Sequence, residues 1–220
     1  ALTLCHNLQV VGIAGPGDAL VTDNALETFR LLRKTFPQLL FCLSTNGLLL
    51  EEKAAALQQV GVHSLTVTVN GVNPEILCQI CGEVSYQGVR YTGLAAAKLL
   101  IAQQEKGIKK AAAYGMVIKV NIVLIPGIND SHIGEIAEKV KAWGANLVNI
   151  IPLIPQYKLK DFPAPNCQQI QAAREAVEQH LTVFRHCQHC RADAIGVPGE
   201  TEYRDQVYQH LTTDGSFSHG

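Results

Sequence analysis

The strongest constraint on this chain is a regular alternation of short apolar runs with longer helical stretches. Residues 8–14, 39–44, 64–70, 117–125 and 146–154 are rich in Val, Ile, Leu and Thr and end at Gly, Pro or Asn, so each reads as a strand. Between them, residues 25–35, 50–60, 74–80, 94–106 and 132–143 read as helices. Asn24 is expected to cap the first and Ser131 the fifth, because their side-chain oxygens can accept from free backbone N–H groups. Pro37, Gly61 and Gly144 each punctuate a return from helix to strand. This order calls for parallel strands with right-handed crossovers. Most of the runs are nearly continuously apolar, which suits strands covered on both faces. Five strands fall short of a closed eight-unit barrel of roughly 250 residues. The expected fold class is therefore α/β, as an incomplete barrel or an open sheet.

After Pro155 the pattern changes. Pro163 and Pro165 mark an irregular connection, residues 167–184 read as a helix, and a Cys/His-rich tail follows. The expected organisation is a partial barrel over 1–155 with a C-terminal extension over 156–220. At 220 residues, a compact fold would bury roughly 70–75% of its unfolded surface, so the core needs no staples. A formal charge of −1 gives no basic surplus for nucleic acid or an anionic membrane. The apolar runs are too short and too interrupted to cross a bilayer, and the N-terminus shows no secretion signal, so the expected location is cytoplasmic. Seven cysteines, with two CxxC pairs, favour metal or redox chemistry over disulfides. The chain begins at Ala1 and its only methionine is Met116, which raises the expectation of a processed or incomplete chain.

Several groups fall at the expected C-terminal ends of strands, where α/β folds bind ligands. In Gly15-Pro16-Gly17-Asp18 the glycines permit close backbone approach and the carboxylate can receive an ammonium group, although an ordinary turn uses the same residues. Ser44-Thr45-Asn46-Gly47 offers hydroxyls and an amide for a polar ligand or for a turn. Thr68 and Asn70 end the third strand. Asn121 interrupts an apolar fourth strand and needs a partner, either a ligand or a neighbouring polar group. Cys42, by itself, reads as a small buried hydrophobe. The densest signal is Arg185-His186-Cys187-Gln188-His189-Cys190-Arg191: CxxC lets two thiolates converge on one metal, and the arginines favour the thiolate form. Cys78 and Cys81 form the second pair, on one face of a helical segment, so a four-thiolate zinc site stays open.

Taken in order, VVGIAGPGDAL, FCLSTNG, LTVTVNGVNPE, YTG, VIKVNIVLIPGINDSHIGEIAEKVK, NIIPLIP and RHCQHCRADAIG resemble the NifB family of radical S-adenosylmethionine (radical SAM) maturases, from about Val10 to about Glu200. The resemblance implies an incomplete parallel (β/α) barrel of radical SAM type, with five of six strands present and a Cys/His-rich C-terminal extension. It implies [4Fe–4S] clusters and S-adenosyl-L-methionine as cofactors. The implied activity is that of a lyase and cofactor maturase of nitrogen fixation. A 5′-deoxyadenosyl radical serves the fusion of two [4Fe–4S] units, with carbide and sulfur insertion, into an eight-iron precursor. The implied partners are iron–sulfur cluster donors and other nitrogenase cofactor assembly proteins.

By position, Gly15, Gly17 and Asp18 match the loop that receives the methionyl ammonium group. Thr68, Asn70 and Asn121 match residues facing the ribose and carboxylate. Cys42 matches a cysteine holding one precursor cluster, and Cys187 and Cys190 match the pair holding the other, with His186 and Arg191 tuning the sulfurs. These three cysteines are expected to gather at the barrel mouth beside the glycine loop. The family's radical-generating CxxxCxxC is absent from this sequence, so no residue is assigned a catalytic role. The expectation that follows is a fragment without its N-terminal portion, inactive alone and prone to aggregate through an exposed edge at residues 8–14. Cys78 and Cys81 receive no role, and Ala19 stands where the family commonly has proline. Two alternatives remain: a non-catalytic cluster carrier or scaffold, and a zinc-stabilised α/β protein.

Overall fold

A computed structural model describes residues 8–15, 17–185, 195, 196, 201, 203 and 206. Its centre is a six-stranded, wholly parallel sheet formed by β1 (Val10–Ile13), β2 (Leu40–Thr45), β3 (Val62–Thr68), β6 (Val117–Leu124), β7 (Leu147–Pro152) and β8 (Thr182–Val183), paired in that order. Each new strand adds beside the last one without reversal. A parallel sheet wound in one direction places its crossover helices on one face and curls toward a barrel. Those helices are α1 (Asn24–Thr35), α2 (Leu50–Gln59), α4 (Gly93–Ala113), α5 (Ile133–Trp143) and α6 (Cys167–Glu178).

One face of every long strand is apolar and buried: Phe41 and Leu43 on β2, Leu65 and Val67 on β3, Ile118, Val120 and Ile122 on β6, Val148 and Ile150 on β7. They pack in one cluster with Phe29 of α1, Leu57 of α2, Ile108 of α4, Val140 of α5 and Val177 of α6. A fully buried side chain of this size contributes roughly 1.5–3 kcal/mol. The opposite strand face carries Cys42, Ser44, Ser64, Thr68, Lys119 and Asn121, all half-buried. Among the described residues the helices lie on one side and this face is the concave interior of an incomplete barrel, so no described helix supplies the cover on both faces that the apolar runs led one to expect. The apolar runs looked continuous because short Ser, Thr and Asn side chains sit among them at alternate positions.

At the N-terminal ends of the strands, Arg33 knits three segments together. Its guanidinium donates to the carbonyls of Pro37 at 2.7 Å, Leu39 at 3.1 Å and Gly61 at 3.0 Å, and lies 4.1 Å from the centre of the Phe41 ring. The opposite end of the sheet is thereby left as the end where loops can specialise.

Other expectations also need correction. Asn24 is the first residue of α1, not its cap; Asp23 holds the cap position without a capping bond and gives its carboxylate to Lys53 at 2.7 Å. Ser131 lies within a single 3-10 turn, Asp130–His132, and His132 precedes α5. Helix α3 (Pro74–Ile80) is capped by Asn73, whose side chain accepts from Glu75 N and Ile76 N. The stretch 167–184 is not one helix: it stops at Glu178, and β-branched Thr182 and Val183 pair with β7 as a sixth strand. An antiparallel hairpin, β4 (Glu83–Tyr86) and β5 (Val89–Thr92), was not foreseen. Its two-residue turn has positive φ at Gln87 (50°) and Gly88 (77°), as hairpin geometry requires. The hairpin, α3 and α4 share a second small core of Leu48, Leu77, Val84, Ala96, Ala97 and Leu100. Among the described residues, no helix is long and apolar enough to cross a membrane.

Candidate functional site

Strand register stacks the concave face in layers. Gly12 pairs with Cys42 and Cys42 with Ser64 in the lowest layer; Ser44, Thr66 and Lys119 form the next; Thr68, Asn121 and Asn149 form the uppermost. Gly12 was overlooked in the sequence. Its missing side chain leaves the space beside Cys42 open, since a Cβ there would come within 4.0 Å of Cys42 Cβ. Cys42 is half-buried and free, and it lies on the same face as Thr68 but four residues lower, about 13 Å at the usual rise. Asn121 answers the question its position raised: its Oδ1 accepts from Asn149 Nδ2 at 3.2 Å, across the β6–β7 pair. Its own amide nitrogen donates to no group among the described residues, so it is available at the mouth beside Thr68.

Two loops meet at the same end. The Asp18 carboxylate accepts from Leu20 N at 2.9 Å, Thr45 Oγ1 at 2.8 Å and Asn46 N at 2.6 Å. A carboxylate has about four acceptor directions, so three of them fix the chain's own loops and one remains for an incoming donor. A Cβ placed on Gly15 or Gly17 meets nothing within 4 Å. Among the described residues no neighbour demands glycine at either position; open space is what close approach of a ligand to the backbone requires. Behind these loops, Gln104 of α4 is 2% exposed and donates to Asn46 O at 2.7 Å and Thr68 O at 2.9 Å, joining the ends of β2 and β3.

Asn70 is used differently from its neighbours. Its Oδ1 accepts from Val123 N at 2.9 Å, and its carbonyl accepts from Asn129 Nδ2 at 3.0 Å. Val72 N, two residues on, donates to His132 Nε2 at 3.1 Å. Asn129 and His132 were not singled out from the sequence. Their burial between a strand end and an apolar helix arises only on folding, so no sequence signal marked them.

Cys187 and Cys190, with His186 and Arg191, lie outside the described residues. Their approach is visible, because Phe184 N donates to Val148 O at 2.7 Å and the Lys119 ammonium lies 4.9 Å from the centre of the Phe184 ring. Three residues before Cys187 the chain is thus still beside the concave face. Cys78 and Cys81 close α3 against the hairpin core, where burial pushes the Cys81 thiol above its ordinary range and disfavours the thiolate a metal would need. Among the described residues no three His, Cys, Asp or Glu side chains form a metal-binding group.

The donor set of the concave end suits a polar nucleotide: backbone beside two open glycines, one free acceptor direction on Asp18, and a hydroxyl and an amide at Thr68 and Asn121, with the single Cys42 thiol deeper on the same face. The family model described as Radical SAM superfamily matches residues 4–140. The chain is 47% identical over 203 residues to the FeMo cofactor biosynthesis protein NifB of Methanocaldococcus infernus, an alignment covering 92% of this chain and 67% of that protein. It is 43% identical over 213 residues to the protein of the same name from Klebsiella pneumoniae, covering 93% of this chain and 45% of that one. The chain therefore spans about two thirds of the archaeal relative and less than half of the bacterial one. Among solved structures, a radical SAM methyltransferase from Sphaerobacter thermophilus aligns over 80% of this chain and 50% of its own, with TM-score 0.60 and 18% identity. Streptococcus suis SuiB bound to S-adenosylmethionine aligns over 90% of this chain and 44% of its own, with TM-score 0.55 and 12% identity. These likenesses carry the fold alone.

Proposed function

Because this chain belongs to the NifB family of the radical SAM superfamily, we propose that it serves FeMo cofactor biosynthesis by holding S-adenosylmethionine and iron–sulfur units on the concave face of its sheet. One observation carries the reading: strand register sets Thr68 beside Asn121 above Cys42, on the face opposite the described helices, next to a loop with open space over Gly15 and Gly17. The backbone at Gly15 and Gly17 and the free direction of Asp18 would receive the methionyl end. Thr68 and Asn121 would bond the ribose and carboxylate, with Asn70 shaping the edge they stand on.

Cys42 would ligate one [4Fe–4S] unit as thiolate, and Cys187 with Cys190 the other. Bound beside a further [4Fe–4S] cluster, S-adenosylmethionine would supply radical chemistry; that cluster's CxxxCxxC ligands are assigned to no residue of this sequence. The fusion of two [4Fe–4S] units with carbide and sulfur insertion is the finer reaction we assign. The chain's own contribution would be to orient the nucleotide and place the thiolates. In this reading it works in the cytoplasm with iron–sulfur cluster donors and other cofactor assembly proteins.

The test is anaerobic reconstitution with iron and sulfide, followed by iron and labile-sulfide analysis and equilibrium dialysis against labelled S-adenosylmethionine. The reading expects bound iron and sulfide that fall in Cys42→Ala, Cys187→Ala and Cys190→Ala, with nucleotide affinity that falls in Asn121→Leu. Iron and sulfide uptake without nucleotide binding would instead mark a cluster carrier. Zinc without sulfide would mark a zinc-stabilised protein.

A further inference from the structure

The β3–α3 connection, residues 69–73, is held from the β6 side at four points, the first being the Val69 N–H donating to Asn121 O at 2.9 Å. Two more are the bonds of Asn70 to Val123 N and to Asn129 Nδ2. Asn129 is fully buried and itself immobilised: its Oδ1 accepts from Ile125 N at 2.8 Å and its Nδ2 also reaches Val123 O at 2.8 Å. The fourth point is the Val72 N–H donating at 3.1 Å to Nε2 of His132, a histidine only 4% exposed. An acceptor Nε2 carries no proton, so the proton of the neutral ring sits on Nδ1, which faces Glu135 Oε2 at 3.0 Å. A second proton on Nε2 would set two N–H donors against each other and remove the bond.

We propose that neutral His132 is a positioning residue: it clamps the β3–α3 connection and so holds the Thr68–Asn70 edge in its nucleotide-binding geometry, and its protonation releases the clamp. The identity of the nucleotide rests on the function proposed above; the clamp itself does not. The groups facing the ring are few. Residues 69–73 (Val, Asn, Gly, Val, Asn) contribute no ionisable side chain, and neither do residues 120–124 of β6. On the histidine's own side stand Glu135, which bonds it, and Asp130 in the preceding turn. Burial depresses the protonation of the ring, and Glu135 opposes that only in part. The clamp is therefore closed at neutral pH and opens on acidification.

The measurement is a pH titration of the ¹⁵N-labelled chain, following the Val72 amide, paired with equilibrium dialysis against labelled S-adenosylmethionine from pH 8 down to the lowest pH at which the fold is retained. Circular dichroism at each pH confirms that the fold is retained. In the wild type, the Val72 amide shift should titrate with the His132 ring, and nucleotide affinity should fall about tenfold, the scale of one lost hydrogen bond. His132→Gln keeps a non-titrating acceptor for Val72, so it should bind at pH 8 like the wild type and lose the pH dependence of both signals. His132→Ala should bind weakly at every pH. A Val72 amide indifferent to His132 protonation, or an unchanged pH dependence in His132→Gln, overturns the proposal. If the wild type binds no nucleotide at pH 8, the assigned ligand fails, and the Val72 titration still decides the clamp.

Discussion

At Asp18 a single carboxylate ties the loop after β1 to the end of β2, and its surroundings set the cost of losing it. Leu20 N, Thr45 Oγ1 and Asn46 N would all lose their acceptor in Asp18→Ala. Because the site is only half-buried and water can replace part of the loss, the expected destabilisation is about 1–3 kcal/mol, read by urea unfolding. A change within about 0.5 kcal/mol would mean that the two loops are not joined there. His132 gives a second residue-level expectation. Its protonation is depressed in the folded state below the ordinary 6.5, so the unfolded chain binds the proton more tightly. The stability it contributes is complete above pH 6.5 and is lost as pH falls toward the folded value. His132→Gln should flatten that part of the stability–pH curve. The sequence made Asp18, Thr68 and Asn121 legible, because polar residues at strand ends need a reason. It did not reveal that Asp18 spends most of its capacity inside the protein, since Thr45 and Asn46 come from 27 and 28 residues away.

Helix α4 shows how packing overrules propensity. Gly107 lies mid-helix, where alanine would ordinarily gain about 1 kcal/mol. A Cβ there would come within 2.7 Å of Leu50 Cβ and 3.0 Å of the Glu51 backbone nitrogen, so α2 would have to move. Overpacking of this kind costs about 1–3 kcal/mol, so Gly107→Ala should lower the unfolding free energy on balance. A stabilised variant would show that α2 and α4 are not in contact as described. The β4–β5 hairpin is docked on α2 by the Tyr86 hydroxyl donating to Glu52 at 2.7 Å, which pushes the Tyr86 pKa up to about 12. That contribution is full below pH 10 and lost as pH rises through about 12, and tyrosinate absorbance of the wild type against Tyr86→Phe should show one late-titrating ring. Helices and long strands were readable because their apolar periods extend over many residues. The hairpin and β8 were not: four- and two-residue strands leave too short a pattern, and Gln87-Gly88 is a weaker turn signal than Asn-Gly.

At the scale of the whole molecule, a sheet wound in one direction, with the described helices on one side, separates the roles of its two faces. The helix-covered face stabilises the fold, and the bare face collects the polar groups and the Cys42 thiol. Among the described residues β1 forms one edge of that sheet, paired only with β2, and Val10 on it is 50% exposed. An apolar parallel edge invites pairing with another chain, so Val10→Lys should reduce self-association in light scattering without lowering the unfolding midpoint. Fold class and family were legible in the sequence because the βα alternation and the motif order extend along most of the chain. The layering of the concave face was not, since register arises only when strands separated by tens of residues pair. The most direct test of that face is a titration of the ¹⁵N-labelled chain with S-adenosylmethionine, mapping the amides that shift. The account predicts changes centred on Gly15, Gly17, Asp18, Thr68, Asn70 and Asn121. Shifts confined to the helix-covered face, or none at saturating nucleotide, would contradict it.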